Sequence, residues 1–246
     1  MRLRLTVPHV YGCDPTLRLP SGSLRTAADW DALRLAGRST DFGLGESRAE
    51  WVACAAARTD LRRCAHLVSE LLAAWGAGSA VSVGAGTGML EYHLAHAAPA
   101  LRLRCGDFAP QALDRLRDRL SGLAEVERVD FHTADWVRSP DEPVIMHRVD
   151  TELSDGEWRL AFERLRRSRV ERIAWIPCGL VTVAAMTAEV RSLVAAVLRK
   201  RRLVRAGYLR SEARMLDLFA ASYRRTAVRP GGELPVWTLE RRPSEG

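Results

Sequence analysis

Val81-Ser82-Val83-Gly84-Ala85-Gly86-Thr87-Gly88-Met89-Leu90 decides how this 246-residue chain is read. A short strand-like run enters three glycines at alternate positions, and Met89-Leu90-Glu91-Tyr92-His93-Leu94-Ala95 then takes up a helical pattern. A strand that turns into a helix through glycines brings bare backbone close to a ligand, because no Cβ intervenes and positive φ is accessible. The helix start adds unpaired N–H groups, which suit an anionic or nucleotide-like ligand. The segment therefore reads as the cofactor loop of a βαβ unit. Its glycines stand first, third and fifth, and the sixth position is Met89, whereas a dinucleotide fingerprint wants the third glycine there.

Working outward, composition fits one α/β domain with an extension. Hydrophobic residues make up 47% of the chain, enough for a substantial core. No apolar run reaches the ~18 residues of a membrane span. The start, Met1-Arg2-Leu3-Arg4-Leu5, lacks the apolar stretch of a signal peptide, so a cytoplasmic location is expected. Five cysteines without a C-x-x-C pair argue against a disulfide framework or a zinc site. The net charge is +7, carried almost entirely by arginine, with Lys200 the sole lysine. Such a balance favours anionic partners without choosing among them.

From Ser79 onward strands and helices alternate, the signature of a parallel sheet. Strands are expected at Ala80–Val83, Leu101–Cys105, Val126–Phe131, Pro143–Val149 and Arg172–Ile176. Helices are expected at Pro110–Leu120, Asp155–Arg167, Val183–Arg202 and Ser211–Ser222. Arg224–Val228 and Val236–Glu240, around Pro230-Gly231-Gly232, read as a closing antiparallel hairpin. The first 75 residues differ. A strand-like start gives way to turns at Tyr11–Pro15 and Leu19–Ser23. A helical pattern near Thr26–Trp30 breaks at Ser39–Gly45, and one long helix is expected from Ser47 to Trp75. The division is a mainly helical cap or lid over 1–75 and a Rossmann-like domain over 76–246.

An acidic residue is expected where the second sheet strand ends, its carboxylate positioned for ribose hydroxyls. Asp107 stands there, although capping the following helix is its other reading. The G-x-G-x-G loop at Gly84, Ala85, Gly86 and Gly88 resembles motif I of the class I S-adenosylmethionine (SAM) methyltransferases. Asp107-Phe108-Ala109-Pro110 resembles the D-x-S-P segment found at the next strand end in many of them. The resemblance covers roughly Ser79 to Arg241 and includes Gly207–Ser211 with Met215–Phe219, similar to the late helix before the hairpin. It implies a seven-stranded, mostly parallel sheet with a terminal hairpin, and SAM as cofactor. It further implies that Phe108 packs on adenine, that Asp135 receives the adenine amino group and that Trp136 covers the ring. A capped loop with a part-buried tryptophan is the alternative for the last two.

In open α/β sheets the chemistry lies outside the carboxyl ends of the strands, at the switch point. There the chain reads His147-Arg148-Val149-Asp150-Thr151-Glu152-Leu153-Ser154-Asp155-Gly156-Glu157. Asp150 and Glu152 are candidate bases facing the methyl group, and His147 is a third. Ser154 to Glu157 reads as a capping box. The segment is loosely similar to the same exit in small-molecule O-methyltransferases, but Thr151 falls nearest to their catalytic histidine. The Asn/Asp-Pro-Pro-Tyr signature of amino-group methyltransferases is absent. Asp150, Glu152 and Asp155 do not form a recognised metal loop, so no metal is expected. His9, Tyr11 and Asp14 gather polar groups that could touch substrate, with an ordinary edge strand and turn as the alternative. The arginine runs Arg164–Arg172 and Arg199–Arg205 read as solvated helix faces.

The function implied is methyl transfer to a small-molecule acceptor, a hydroxyl of a specialised metabolite or sugar. An RNA methyltransferase, which the net charge permits, is one alternative; a SAM-binding partner that transfers nothing is another. No membrane partner is implied, and a homodimer is compatible with the sequence.

Overall fold

The computed structural model describes residues 3–22, 24, 26–35, 47–231 and 233–243. The break expected at Ser39–Gly45 lies outside them. The centre is a seven-stranded sheet. Strand β2 (Ser79–Val83) pairs in parallel with β3 (Arg102–Asp107) on one side and β5 (Val144–His147) on the other. β4 (Glu125–Arg128) extends the sheet beyond β3. β6 (Arg172–Ile176) follows β5 in parallel, and the hairpin of β8 (Tyr223–Pro230) and β9 (Pro235–Arg241) adds antiparallel to β6. The order β4-β3-β2-β5-β6-β9-β8 reverses between β2 and β5, which creates the switch point.

Alternation along the strands decides what covers each face. Ala80, Leu103, Ile145 and Ala174 pack under helices α3 (Thr59–Ala74) and α4 (Met89–Ala97). Val81, Val83, Val144, Met146 and Ile173 face α6 (Asp155–Arg167) and α8 (Glu212–Phe219). On that second face Trp158, Phe162, Trp175, Phe219 and Trp237 form a chain of tilted and edge-to-face ring contacts 5.4–6.4 Å apart. Each such pair adds about 1 kcal/mol beyond its buried area. α5 (Pro110–Arg119) closes the β3 side through Leu116, packed with Met89 and with Trp51 of α2 (Arg48–Ala57).

The expected long helix from Ser47 to Trp75 is two helices. Arg58, at φ −80° and ψ 79°, leaves helical geometry between α2 and α3, and its guanidinium engages Asp60 instead. A second difference lies near residue 200. Helix α7 (Val183–Leu198) stops at Arg199, Lys200 adopts φ +52°, and Arg202–Arg210 forms strand β7 rather than helix and loop. β7 pairs antiparallel with β1 (Thr6–Cys13), which absorbs Tyr11–Cys13, read from the sequence as turn. Beside this ribbon Leu19 and Leu24 pack with Val204 and Ala206, next to Trp30 of α1 (Ala27–Leu35). Among the described residues no helix is long and apolar enough to cross a membrane.

Candidate functional site

The turn after β2 behaves as its glycines require. Gly84, Gly86 and Gly88 all have positive φ, at 71°, 55° and 76°. A Cβ on Gly84 would sit 2.3 Å from Val149 Cγ1, and one on Gly88 2.8 Å from Leu116 Cδ2, so neither position accepts a side chain. Gly88 then caps α4, whose first N–H groups point toward the loop. Trp51 of α2 fastens the loop from above by donating its indole N–H to the Thr87 carbonyl at 3.1 Å.

A cavity of about 720 Å³ opens over this loop at the carboxyl ends of β2–β6. Its floor includes Gly84–Thr87. Asp107 and Phe108 border it after β3, Val129–His132 after β4, His147–Val149 and Thr151–Leu153 after β5, and Cys178 after β6. Its far wall comes from His9 and Tyr11 of β1, Leu24, Trp30, Arg58, and Ala206 and Leu209 of β7.

Asp107 is buried, and its two oxygens divide the readings made from sequence. Oδ2 accepts the Gly86 N–H at 3.1 Å, and Oδ1 accepts the Ala109 N–H at 3.0 Å at the start of α5. It braces the glycine loop and fixes the turn that leads into α5, whose N-cap residue is Ala109 and which has no side-chain cap. Asp135 and Trp136 are elsewhere. Asp135 is exposed and accepts the Thr133 hydroxyl at 2.5 Å. Trp136 is buried in the core under α6 and donates its indole N–H to the Asp130 carbonyl at 2.9 Å. Neither borders the cavity; Asp130 and Phe131 do. The cause is strand length. β4 ends at Arg128, three residues short of the expected end, so the acid–aromatic pair at the strand exit falls five residues earlier. Asp130 Oδ1 is bonded to the backbone N–H and a ring nitrogen of His132 at 2.8 and 2.9 Å. The signal was present: Gly106-Asp107-Phe108 and Val129-Asp130-Phe131 repeat one pattern at consecutive strand ends.

After β5 the three candidate bases separate. His147 lines the cavity beside the Arg148 and Arg58 guanidiniums. Burial first, then those charges, push its pKa down to about 3, so the imidazole is neutral at physiological pH. Glu152 also lines the cavity. Asp150, expected to face the methyl group, turns away. It is fully buried, and its oxygens accept the N–H groups of Cys178 and Gly179 at 2.8 and 2.6 Å. Burial pushes its pKa up, and the two amides oppose that. Its carboxylate is a strut between the loops after β5 and β6.

Arg210, on β7, holds the same loop from outside. It donates to the carbonyls of Asp150 and Leu153, each at 2.5 Å, and to Asp155 Oδ1 at 2.7 Å. Asp155 is held by Arg214 as well, at 2.6 Å. Ser154 and Glu157 form the capping box read from the sequence. Gly207 lets β7 touch this loop: its φ is 139°, and a Cβ there would lie 1.9 Å from the Thr151 carbonyl oxygen, which accepts the Tyr208 N–H at 2.8 Å. Of the N-terminal trio, His9 and Tyr11 border the cavity, while Asp14 bonds Thr16 at a turn outside it.

No family model and no curated protein matches this sequence. Solved structures do match its fold. The mitomycin 7-O-methyltransferase MmcR is 20% identical, with a TM-score of 0.57 over 86% of this chain and 63% of that one. Human N-acetylserotonin methyltransferase in complex with SAM is 14% identical, with a TM-score of 0.59 over 89% and 63%. LepI in complex with SAM is 16% identical, with a TM-score of 0.54 over 68% and 43%. The fold is therefore the Rossmann-like fold of class I methyltransferases. The chain spans about three fifths of the length of the first two.

Proposed function

We propose that this protein is a SAM-dependent methyltransferase acting on a small-molecule acceptor, with a hydroxyl as the group methylated. The observation that carries the reading is the Asp107–Gly86 hydrogen bond at the floor of a cavity that also reaches Glu152. It joins the bare-backbone loop to a carboxylate at the end of the neighbouring strand, the place at which such sheets hold a ribose. The residues fit the cofactor. Gly84–Gly88 offer a cradle that side chains would fill, and Asp107 and Asp130 stand at successive strand ends beside Phe108 and Phe131. In this reading Asp107 holds the ribose, Asp130 receives the adenine amino group in place of Asp135, and Phe108 and Phe131 flank the ring.

SAM supplies an electrophilic methyl on a sulfonium, so the protein's task is alignment and proton removal. Glu152 is the group we assign to accept the acceptor's proton. Thr151 stands beside it where a histidine would be stronger, and the neutral His147 contributes shape and polarity at the methionyl end. β1, α1 and β7 wall the acceptor side, so the segment before α2 acts as a cap that needs β7, whereas α2 and α3, expected from sequence to belong to that cap, pack on the sheet domain itself. Two neighbours of this fold are named as O-methyltransferases, the mitomycin 7-O-methyltransferase MmcR and an O-methyltransferase family 2 protein in complex with apigenin, which supports the acceptor class.

The test is calorimetric titration of the protein with SAM and with S-adenosylhomocysteine, followed by methyl transfer assays over a panel of phenols and sugars. Binding of both nucleosides with turnover of a hydroxyl acceptor supports the proposal. Failure to bind either at millimolar concentration overturns it, and binding without any turnover points to a SAM-binding partner.

A further inference from the structure

We propose that the acceptor carries an anionic group, a carboxylate in chemical class, and that Arg148 recognises it. The inference rests on the methyltransferase reading and specifies its substrate.

Arg148 is one of three non-glycine described residues with positive φ, at 58°, a conformation that arginine rarely adopts. The backbone on both sides is fixed. Its N–H donates to the Ile176 carbonyl at 3.0 Å, continuing the β5–β6 ladder, and the next residue, Val149, is wedged against Gly84. A left-handed residue held between two such anchors re-aims one side chain, and this one borders the cavity.

Direction along the sheet separates acceptor from cofactor. Asp107 and Asp130 lie at the ends of β3 and β4, on one side of the glycine loop. Arg148 lies on the other side, and its guanidinium interacts with the Cys178 thiol after β6. That places Arg148 on the side of the glycine loop opposite Asp107 and Asp130, in the cavity that Tyr11 and Trp30 also line. Arg58, the other cavity arginine, is already neutralised by a two-pronged contact with Asp60 at 2.7 and 2.9 Å. No ion pair joins Arg148 to an acidic residue among the described residues. A planar guanidinium of this kind matches a carboxylate through two parallel hydrogen bonds.

The experiment compares 4-hydroxybenzoate with 4-hydroxybenzamide, titrated by calorimetry into protein saturated with S-adenosylhomocysteine. The Arg148→Asn variant removes the charge with a residue that tolerates the left-handed region. The expected result is a preference of about tenfold or more for the carboxylate in the unmodified protein. In R148N that preference shrinks to within about twofold while S-adenosylhomocysteine affinity holds. Equal binding of the two probes, or binding of neither, overturns the proposal. So does a loss of nucleoside affinity in R148N matching the loss for the acid, which would assign Arg148 to the cofactor's own carboxylate. If the unmodified protein binds no nucleoside at all, the methyltransferase reading fails instead.

Discussion

Asp107 and Gly86 are joined across the cavity floor by a hydrogen bond of 3.1 Å, from the backbone N–H of the loop to Oδ2 of the carboxylate. The glycine turn is thus pre-set by the residue expected to hold the ribose. Asp107→Ala should lower S-adenosylhomocysteine affinity by about 30-fold or more, since it removes a ligand contact and a brace on the loop. Calorimetry on the folded variant measures this; unchanged affinity would take Asp107 out of the site.

Asp150 is a structural strut, so its replacement should be felt in stability. Asp150→Ala leaves the Cys178 and Gly179 amides unpaired in the interior, a cost of roughly 2–4 kcal/mol. Thermal unfolding should show a clear drop in Tm. An unchanged Tm with lost turnover would return Asp150 to the chemistry.

Glu152→Gln keeps the shape of the cavity and removes the proposed proton acceptor. Turnover of a hydroxyl acceptor should fall by about a hundredfold or more, with nucleoside affinity within about twofold of the parent. A variant with normal kcat would shift the role to another group or to solvent.

Glu91, on the first turn of α4, is buried beneath the glycine loop and accepts the Ser82 hydroxyl at 2.6 Å. Burial raises its pKa to about 7. The folded protein therefore holds this proton more tightly than the unfolded chain. The stability from Glu91 is full below its unfolded pKa of 4.5, declines as pH rises toward 7, and is lost above it. The span is about 3 kcal/mol. Glu91→Gln should flatten that part of the pH–stability curve, measured by urea unfolding between pH 4.5 and 8. An unchanged slope would show that other groups set it.

Gly207→Ala should destabilise the protein by roughly 2 kcal/mol or more, because the new methyl meets the Thr151 carbonyl and φ is positive. The acceptor KM should rise with it, since the Thr151 loop must move. A neutral result in urea unfolding and kinetics would mean that β7 yields easily at this point.

The sheet was legible because its signals are local. Gly84–Gly88 announce the turn, Asp107 the next strand end, and Pro230–Gly232 the hairpin. Boundaries were less so. Asp130 is hidden in sequence because Val126–Phe131 reads as continuous strand, whereas pairing with β3 ends at Arg128. Asp150 and Glu152 look equivalent in sequence, and only the amides of Cys178 and Gly179, 28 and 29 residues on, decide which one turns inward. The β1–β7 ribbon was hidden for a like reason. Arg202–Arg210 carries an arginine-rich pattern that continues the preceding helix, and its strand character depends on a partner at the other end of the chain.

That partnership sets an order of assembly. Thr6 stands opposite Arg210 and Cys13 opposite Arg202, so nearly the whole chain must be made before the ribbon can close. The glycine loop, Asp107 and Asp130 precede β7 and draw on nearer contacts, whereas the β5 exit is completed only when Tyr208 and Arg210 of β7 reach Thr151, Asp150 and Leu153. Closing so long a loop is entropically costly and kinetically late. During synthesis the side of the cavity bordered by Gly84–Thr87, Asp107 and Asp130 takes shape before the wall built by β1 and β7.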